Sequence, residues 1–295
     1  MKNYIYLSLS LVLFLIVSCN NTSDKTPTVS VTIEPQRYFV EKIVGDKFKV
    51  NTIVPSGTSP ETYDPTPSQM IALGKSVLYF KVGYLGFENA WGKNLEENNV
   101  DVHIVNSSNN IKLINGNEYT VEIGDDHEHE SHNHEGIDPH IWSSPKTALI
   151  MAENILNALV EADVENQKYY RDNFKFLETE IIDTDKRISE LLENSTVKSF
   201  IIYHPALGYF ARDYNLTQYS IEVDGKNPSP KQLKEMIDFA NANGIKTIFV
   251  QKGFDMKNAE SLAKEVQASI HSIDPLSYNW SEELIKIAEI LAKNE

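Results

Sequence analysis

Between residues 165 and 194 the chain has neither glycine nor proline, and this stretch constrains its fold more than any other. Within it Tyr170, Phe174, Leu177, Ile181, Ile188 and Leu191 recur at steps of three, four and seven. That spacing lays one apolar stripe along a helix. At 1.5 Å of rise per residue the helix would run about 45 Å. A coiled-coil segment is the competing reading. A single helix bridging two folded halves accounts better for the folded-looking sequence on both sides.

Both flanks alternate short apolar runs with helical patterns. Before the long helix, strands are expected at 29–33, 49–54, 77–81 and 101–105, with helices at 36–45, 68–76 and 87–97. After it, strands are expected at 199–203, 216–221, 247–250 and 269–273, with helices at 206–214, 230–243, 258–267 and 281–292. Such alternation argues for parallel sheets covered by helices. Thr66-Pro67-Ser68-Gln69 and Ser229-Pro230-Lys231-Gln232 each offer an N-cap hydroxyl, proline at N1 and glutamine at N3. The expected fold class is α/β: two lobes, each a four-stranded parallel sheet with flanking helices, joined by one long rigid helix.

The first 19 residues read as an export signal. Lys2 provides the positive end, and 5–17 is an apolar run broken only by serines, short for a membrane span. Cys19 follows directly and is the chain's single cysteine, so it has no disulfide partner. The segment resembles a bacterial lipoprotein signal, which implies cleavage before Cys19, lipid on its thiol and an anchored, extracytoplasmic protein. Residues 20–28 are polar, as a tether would be. The expected organisation is 1–19 signal peptide, 20–28 tether, 29–163 first lobe, 164–195 linking helix and 196–295 second lobe. At 41% hydrophobic and 23% charged residues the chain has enough apolar material for cores. Its net charge of −15, with no basic patch, speaks against nucleic acid as a partner.

Five of the eight histidines fall within 127–140. His127, His129, His132 and His134 alternate with acids in a loop at 125–135, a composition suited to binding metal ions. The tract is internal and rich in acids, unlike a purification tag. Four further positions follow predicted strands or stiff proline-containing loops: Glu61, His140, His204 and Asp274. Singly, each has a plainer explanation. A histidine after a strand is commonly a core or cap residue, an aspartate before proline a turn former, a loop glutamate a solvated acid. Together they recur where α/β proteins open their binding crevices. Without thiolates, any site has to be built from His, Asp and Glu.

The segments VPSGTSPETYDPTPSQ, DPHIWSSP, YHPALGYFARDY, NPSPKQL and SIDPL, in that order, with the acidic His-rich loop just before DPHIW, carry a resemblance. Over 29–292 the chain resembles the periplasmic zinc- and manganese-binding proteins of bacterial ABC importers. The resemblance implies two α/β lobes joined by a long helix and an ion held between them by Glu61, His140, His204 and Asp274. Family members commonly have histidine where this chain has Glu61. Two imidazoles and two carboxylates form a harder set than three imidazoles, which brings in Mn²⁺ as the alternative ion. His204, where manganese-type members resemble one another in using glutamate, and the His-rich loop favour Zn²⁺. Tyr203, Tyr209 and Trp142 adjoin the ligands, with core packing the first expectation for Trp142.

The function implied is capture of Zn²⁺ outside the cytoplasmic membrane and delivery to an ABC permease, by a monomer anchored through Cys19 and without catalysis. A secreted zinc hydrolase is the first rival, weakened by the lack of an HExxH pair and of an evident general base. A surface adhesin is the second, since some relatives of the family are described as adhesins.

Overall fold

The computed structural model describes residues 26–293 apart from 99, 117, 123–135 and 223–225. Cys19 and the histidines at 127, 129, 132 and 134 lie outside the described residues.

The first sheet contains β1 (Thr28–Val31), β2 (Lys49–Thr52), β3 (Leu78–Lys81) and β4 (His103–Asn106), in the order β2-β1-β3-β4. Every pairing is parallel, with Val29 opposite both Val50 and Leu78. The two central strands are buried along nearly their whole length, whereas β2 and β4 are only half covered. Helices cover both faces of a parallel sheet, so its central strands become unbroken apolar runs. The crossovers are α1 (Glu34–Val44), α2 (Pro67–Leu73) and α3 (Gly86–Asn98). Thr66 caps α2 as expected: the Gln69 amide donates to its hydroxyl at 3.4 Å, and the Thr66 amide donates to Gln69 Oε1 at 2.9 Å.

The second sheet departs from expectation. It has five strands, because β5 (Thr120–Glu122), from before the long helix, adds to one edge. Its partner strands are β6 (Ser199–Ile202), β7 (Thr217–Ser220), β8 (Thr247–Gln251) and β9 (Ser269–Ile273), in the order β5-β7-β6-β8-β9. All are parallel. Thr120 lies opposite Gln218, whose side-chain amide donates to the Thr120 hydroxyl at 2.6 Å. Three residues reading Thr-Val-Glu carry no hydrophobic period, so the strand exists through its partner. A segment expected within the first lobe thus belongs to the second sheet.

Between the sheets run α4 (Pro145–Ala162) and the 26-residue α5 (Gln167–Leu192), which follows a 3₁₀ turn at Val164–Asn166. At 26 residues, α5 is about 39 Å long. Tyr170, Phe174, Leu177, Ile181 and Ile188 are buried as the spacing predicts, and Thr184 joins them. Leu191 is only partly buried against the core. The helix is no free strut: it packs against α1, α4 and the last helix of the chain. That part of the chain comprises α6 (Gly208–Asp213), α7 (Pro230–Ala242), α8 (Lys257–Val266) and α9 (Trp280–Lys293). Ser229 caps α7 with the same reciprocal pair of bonds seen at α2.

One continuous core links both sheets, from Val31 and Phe39 through Tyr170 and Leu177 to Phe200, Phe249 and Trp280. Two indoles stitch it where the halves meet. Trp142 Nε1 donates to the Pro275 carbonyl at 2.8 Å, and Trp280 Nε1 donates to the Trp142 carbonyl at 2.6 Å. The Trp280 ring meets Phe39 of α1 edge-on, 5.0 Å between centroids. Among the described residues no helix is long and apolar enough to cross a membrane.

Truncating Trp280, 2% exposed, empties part of this junction and orphans the Trp142 carbonyl. Trp280→Ala is expected to cost about 3–5 kcal/mol of stability, read from the shift in a urea unfolding midpoint at unchanged slope. A loss under about 1 kcal/mol would show that the junction relaxes around the gap.

Candidate metal centre

Four loops at the carboxyl ends of the strands meet in one cleft. Glu61 stands in the proline-rich loop after β2. His140 precedes a 3₁₀ turn, Ile141–Ser143, that leads into α4. His204 comes two residues after β6, and Asp274 directly follows β9. All four line a single cavity with Trp142, Phe254 and Leu276.

Three of the four form a tight group. One donor atom from each of Glu61, His140 and His204 lies within 4.8 Å of the others. Ligand atoms around a tetrahedral zinc with bonds of roughly 2.1 Å sit about 3.4 Å apart, so a small contraction closes the group on an ion. The His140 and His204 rings are 5.3 Å apart at their centroids. Asp274 is not within this group. Its Oδ2 lies 3.9 Å from Lys252 Nζ, and its amide donates to Glu283 Oε1 at 2.8 Å. Burial raises the Asp274 pKa, with Lys252 opposing the rise.

Each donor is aimed by something else. The Gly86 amide at the start of α3 donates to Glu61 Oε2 at 3.0 Å, and the Phe87 amide donates to the Pro60 carbonyl at 3.0 Å. A helix N-terminus is a natural seat for a carboxylate. Gly86 has to be glycine, because a Cβ there would come within 2.2 Å of the Glu61 carbonyl oxygen. Glu61 Oε1 is buried without a hydrogen-bond partner. An orphaned buried acceptor is costly, and a cation is its natural complement.

His140, 6% exposed, is held by Asp138, whose Oδ1 lies 2.8 Å from both the His140 backbone nitrogen and its ring Nδ1. Asp138 is fixed in turn. Tyr209 donates its hydroxyl to the Asp138 carbonyl at 2.9 Å, and a Cβ on Gly208 would stand 2.1 Å from Asp138 Oδ2. His204 Nδ1 faces Glu222 at 3.4 Å, and Phe254 stacks on its ring at 5.8 Å and 14°. Gln251, closing β8, accepts from the His204 amide at 3.2 Å and donates to its carbonyl. In both imidazoles Nδ1 is engaged by a carboxylate, leaving Nε2 for an ion. This is the carboxylate–histidine pairing that orients metal-ligating histidines.

Sequence reasoning named the four candidate ligands in the cavity and three adjoining aromatics, but not Asp138, Glu222, Gln251 or Phe254. Asp138 stands two residues from His140 within the quoted DPHIW segment, a signal that was available. Glu222, Gln251 and Phe254 come near His204 only through the fold. Of the adjoining aromatics, Tyr209 steadies Asp138, and Tyr203 donates to Asn227. Trp142 is core, and its ring also meets His140 edge-on at 5.2 Å.

Residues 29–293 match the family model described as zinc-uptake complex component A, periplasmic. The chain belongs to that family. It is 28% identical over 304 aligned residues to the high-affinity zinc uptake system protein ZnuA of Bacillus subtilis (strain 168), covering 95% of this chain and 91% of that protein. It is 29% identical to the zinc-binding protein AdcA of Streptococcus pyogenes serotype M3, covering 84% of this chain but only 50% of AdcA. A crystal structure of ZnuA superposes with a TM-score of 0.82 at 34% identity, covering 91% of this chain and 99% of that one. The family is a metal-binding component of transport systems, and its relatives bear out both the two-sheet fold and zinc as the ion to test.

Burial lowers the His140 pKa, but the charge and hydrogen bond of Asp138 and the charges of Glu61 and Glu222 outweigh it, leaving the ring above 6.5. The stability this contributes to the ion-free protein is present below pH 6.5 and lost as pH rises through the folded value. An ion competes with that proton, so Zn²⁺ affinity is expected to fall as pH drops from 7.5 to 5.5, by up to about tenfold per unit for each proton displaced. Flat affinity across that range would exclude imidazole ligation. Asp138→Asn keeps the shape but removes the charge that orients His140, and should weaken Zn²⁺ binding about 10–100-fold. Calorimetric titration measures it, and unchanged affinity would reduce Asp138 to a structural role.

Proposed function

We propose that this chain captures Zn²⁺ between its two sheets and delivers it to the membrane permease of an ABC-type importer. The observation that carries this reading is the convergence of Glu61, His140 and His204 donors on one point, with an unpartnered Glu61 oxygen among them. Neutral imidazoles supply nitrogen to a borderline ion and carboxylates supply charge. Asp274 completes the negative wall of the cavity and is the fourth candidate ligand. Lipid on Cys19 anchors the protein on the outer side of the membrane, and the histidines at 127, 129, 132 and 134 gather ions weakly for the inner site. The protein acts as a monomer and does no chemistry on its cargo. Mn²⁺ is the second ion, favoured by the carboxylate at position 61, and binds more weakly than Zn²⁺ because two imidazoles remain.

Titrating Zn²⁺ and Mn²⁺ into the metal-stripped chain tests this, beside His204→Ala and a variant lacking 125–135. The expected result is one tight zinc phase, lost by at least about 100-fold in His204→Ala. In the loop deletion the tight phase survives and the weak phases disappear. A tight phase indifferent to His204→Ala would overturn the proposed ligands. Tighter binding of Mn²⁺ than Zn²⁺ would reassign the cargo.

A further inference from the structure

Glu88 is a buried carboxylate that the metal cluster does not use. It is 5% exposed and sits in the first turn of α3, two residues after Gly86. Taking a carboxylate out of water is costly unless hydrogen bonds replace its hydration. Three do so here. The Thr32 hydroxyl donates to Oε1 at 2.5 Å and the Val82 amide to the same oxygen at 2.7 Å, while the Gly83 amide donates to Oε2 at 2.5 Å. Tyr79, itself buried, donates to the Thr32 hydroxyl at 2.7 Å, so a chain of donors runs from Tyr79 through Thr32 to Glu88. Burial pushes the Glu88 pKa up, and the three donors oppose the rise. Both oxygens accept, so a proton on either would face a donor.

Both segments that set Glu61 hang on these bonds. Val82 and Gly83 open the turn between β3 and α3, and that turn delivers the Gly86 amide to Glu61 Oε2 at 3.0 Å. Gly83 bends there at φ 126°, with Asn106 Oδ1 and Ser108 Oγ packed where a Cβ would stand. Thr32 follows β1 on the other side. Its carbonyl accepts from the Val54 amide at 3.0 Å, where the loop that carries Glu61 begins. One carboxylate thus ties the amide that receives Glu61 to the strand end from which the Glu61 loop departs.

We propose that Glu88 is a positioning residue for the metal centre, fixing the Glu61 carboxylate against the two imidazoles by clamping Thr32 and the turn at 82–85. This rests on the zinc-binding reading of the site, with Glu61 among its ligands. Glu88 is not one of the grouped donors, and its effect passes through Gly86 and Val54. A donor in a metal site has to be held within about 0.5 Å of its place by such supports. Glutamine at position 88 keeps the shape but sets an NH₂ group against the Gly83 amide or against the Thr32 and Val82 donors, whichever way it is turned. The turn then has to shift, and Glu61 loses the amide that aims it.

A double-mutant cycle on zinc affinity tests the proposal. The full chain, metal-stripped, is compared with Glu88→Gln, Glu61→Ala and the double variant, by competition with a chromophoric zinc chelator. Glu88→Gln is expected to weaken Zn²⁺ binding at least about tenfold when Glu61 is present, the usual cost of losing an outer support. Beside Glu61→Ala the same change is expected to cost less than about threefold, because its target is already gone. A smaller loss in the first background, or a larger one in the second, would overturn the proposal and reduce Glu88 to a support of the fold. Thr32→Val serves where Glu88→Gln does not fold. It removes one donor to Glu88 at nearly constant shape and should weaken zinc about fivefold, again only with Glu61 present. Unchanged affinity in Glu61→Ala alone would strike Glu61 from the ligands and take this inference down with it. Weakened affinity in Glu61→Ala, with none lost in Glu88→Gln or Thr32→Val, would sink this inference and leave zinc capture standing.

Discussion

The relation between the two tryptophans underlies the rest of the architecture. Trp142 donates from the turn that carries His140 to the carbonyl of Pro275, next to Asp274. Trp280 donates back to the carbonyl of Trp142. These bonds tie a segment from before the long helix to one from after the last strand, at the cleft where the ligands meet. Buried hydrogen bonds of this kind have no water to fall back on, so breaking either is costly. Around them α1, α5 and α9 close one apolar core. Two parallel sheets each fix their own loop ends, but only the shared core fixes one set of loops against the other.

Much of this was legible in the chain, for identifiable reasons. Central strands such as Leu78–Lys81 and Thr247–Gln251 are covered on both faces, and so appear as short apolar runs. The long helix announces itself by the absence of breakers and by a stripe from Tyr170 to Ile188. Thr66 and Ser229 cap their helices through bonds three residues apart, which are local by nature. What was not legible depends on partners distant in sequence. Thr120–Glu122 is a strand because Thr217–Ser220 lies beside it. Glu222, Gln251 and Phe254 matter because folding brings them to His204. Asp274 was placed at the cleft by its position after a strand, but its engagement with Lys252 follows from a loop conformation that no spacing encodes.

The site's electrostatics suit a divalent cation. Glu61 and Asp274 line the cavity, and Asp138 and Glu222 stand behind the imidazoles, while one lysine opposes them. The net negative charge is arranged in two layers. The outer carboxylates face Nδ1 of the two imidazoles, an arrangement that favours the tautomer with Nε2 free. Glu61 brings charge to the inner layer, and one of its oxygens is received by the Gly86 amide at the start of α3.

The shared core has a thermodynamic consequence for ion binding in the cleft. Proteins whose lobes hang on flexible strands shed a ligand by swinging open, since the open form lies only a few kcal/mol above the closed one. Here swinging one sheet away from the other would separate Phe39 from Trp280 and uncover the apolar stripe of the long helix, so opening costs buried apolar area on top of any metal contacts. Any partner that bound the ion-free form more tightly than the ion-bound one would weaken ion binding by the same free energy, the coupling being equal in both directions.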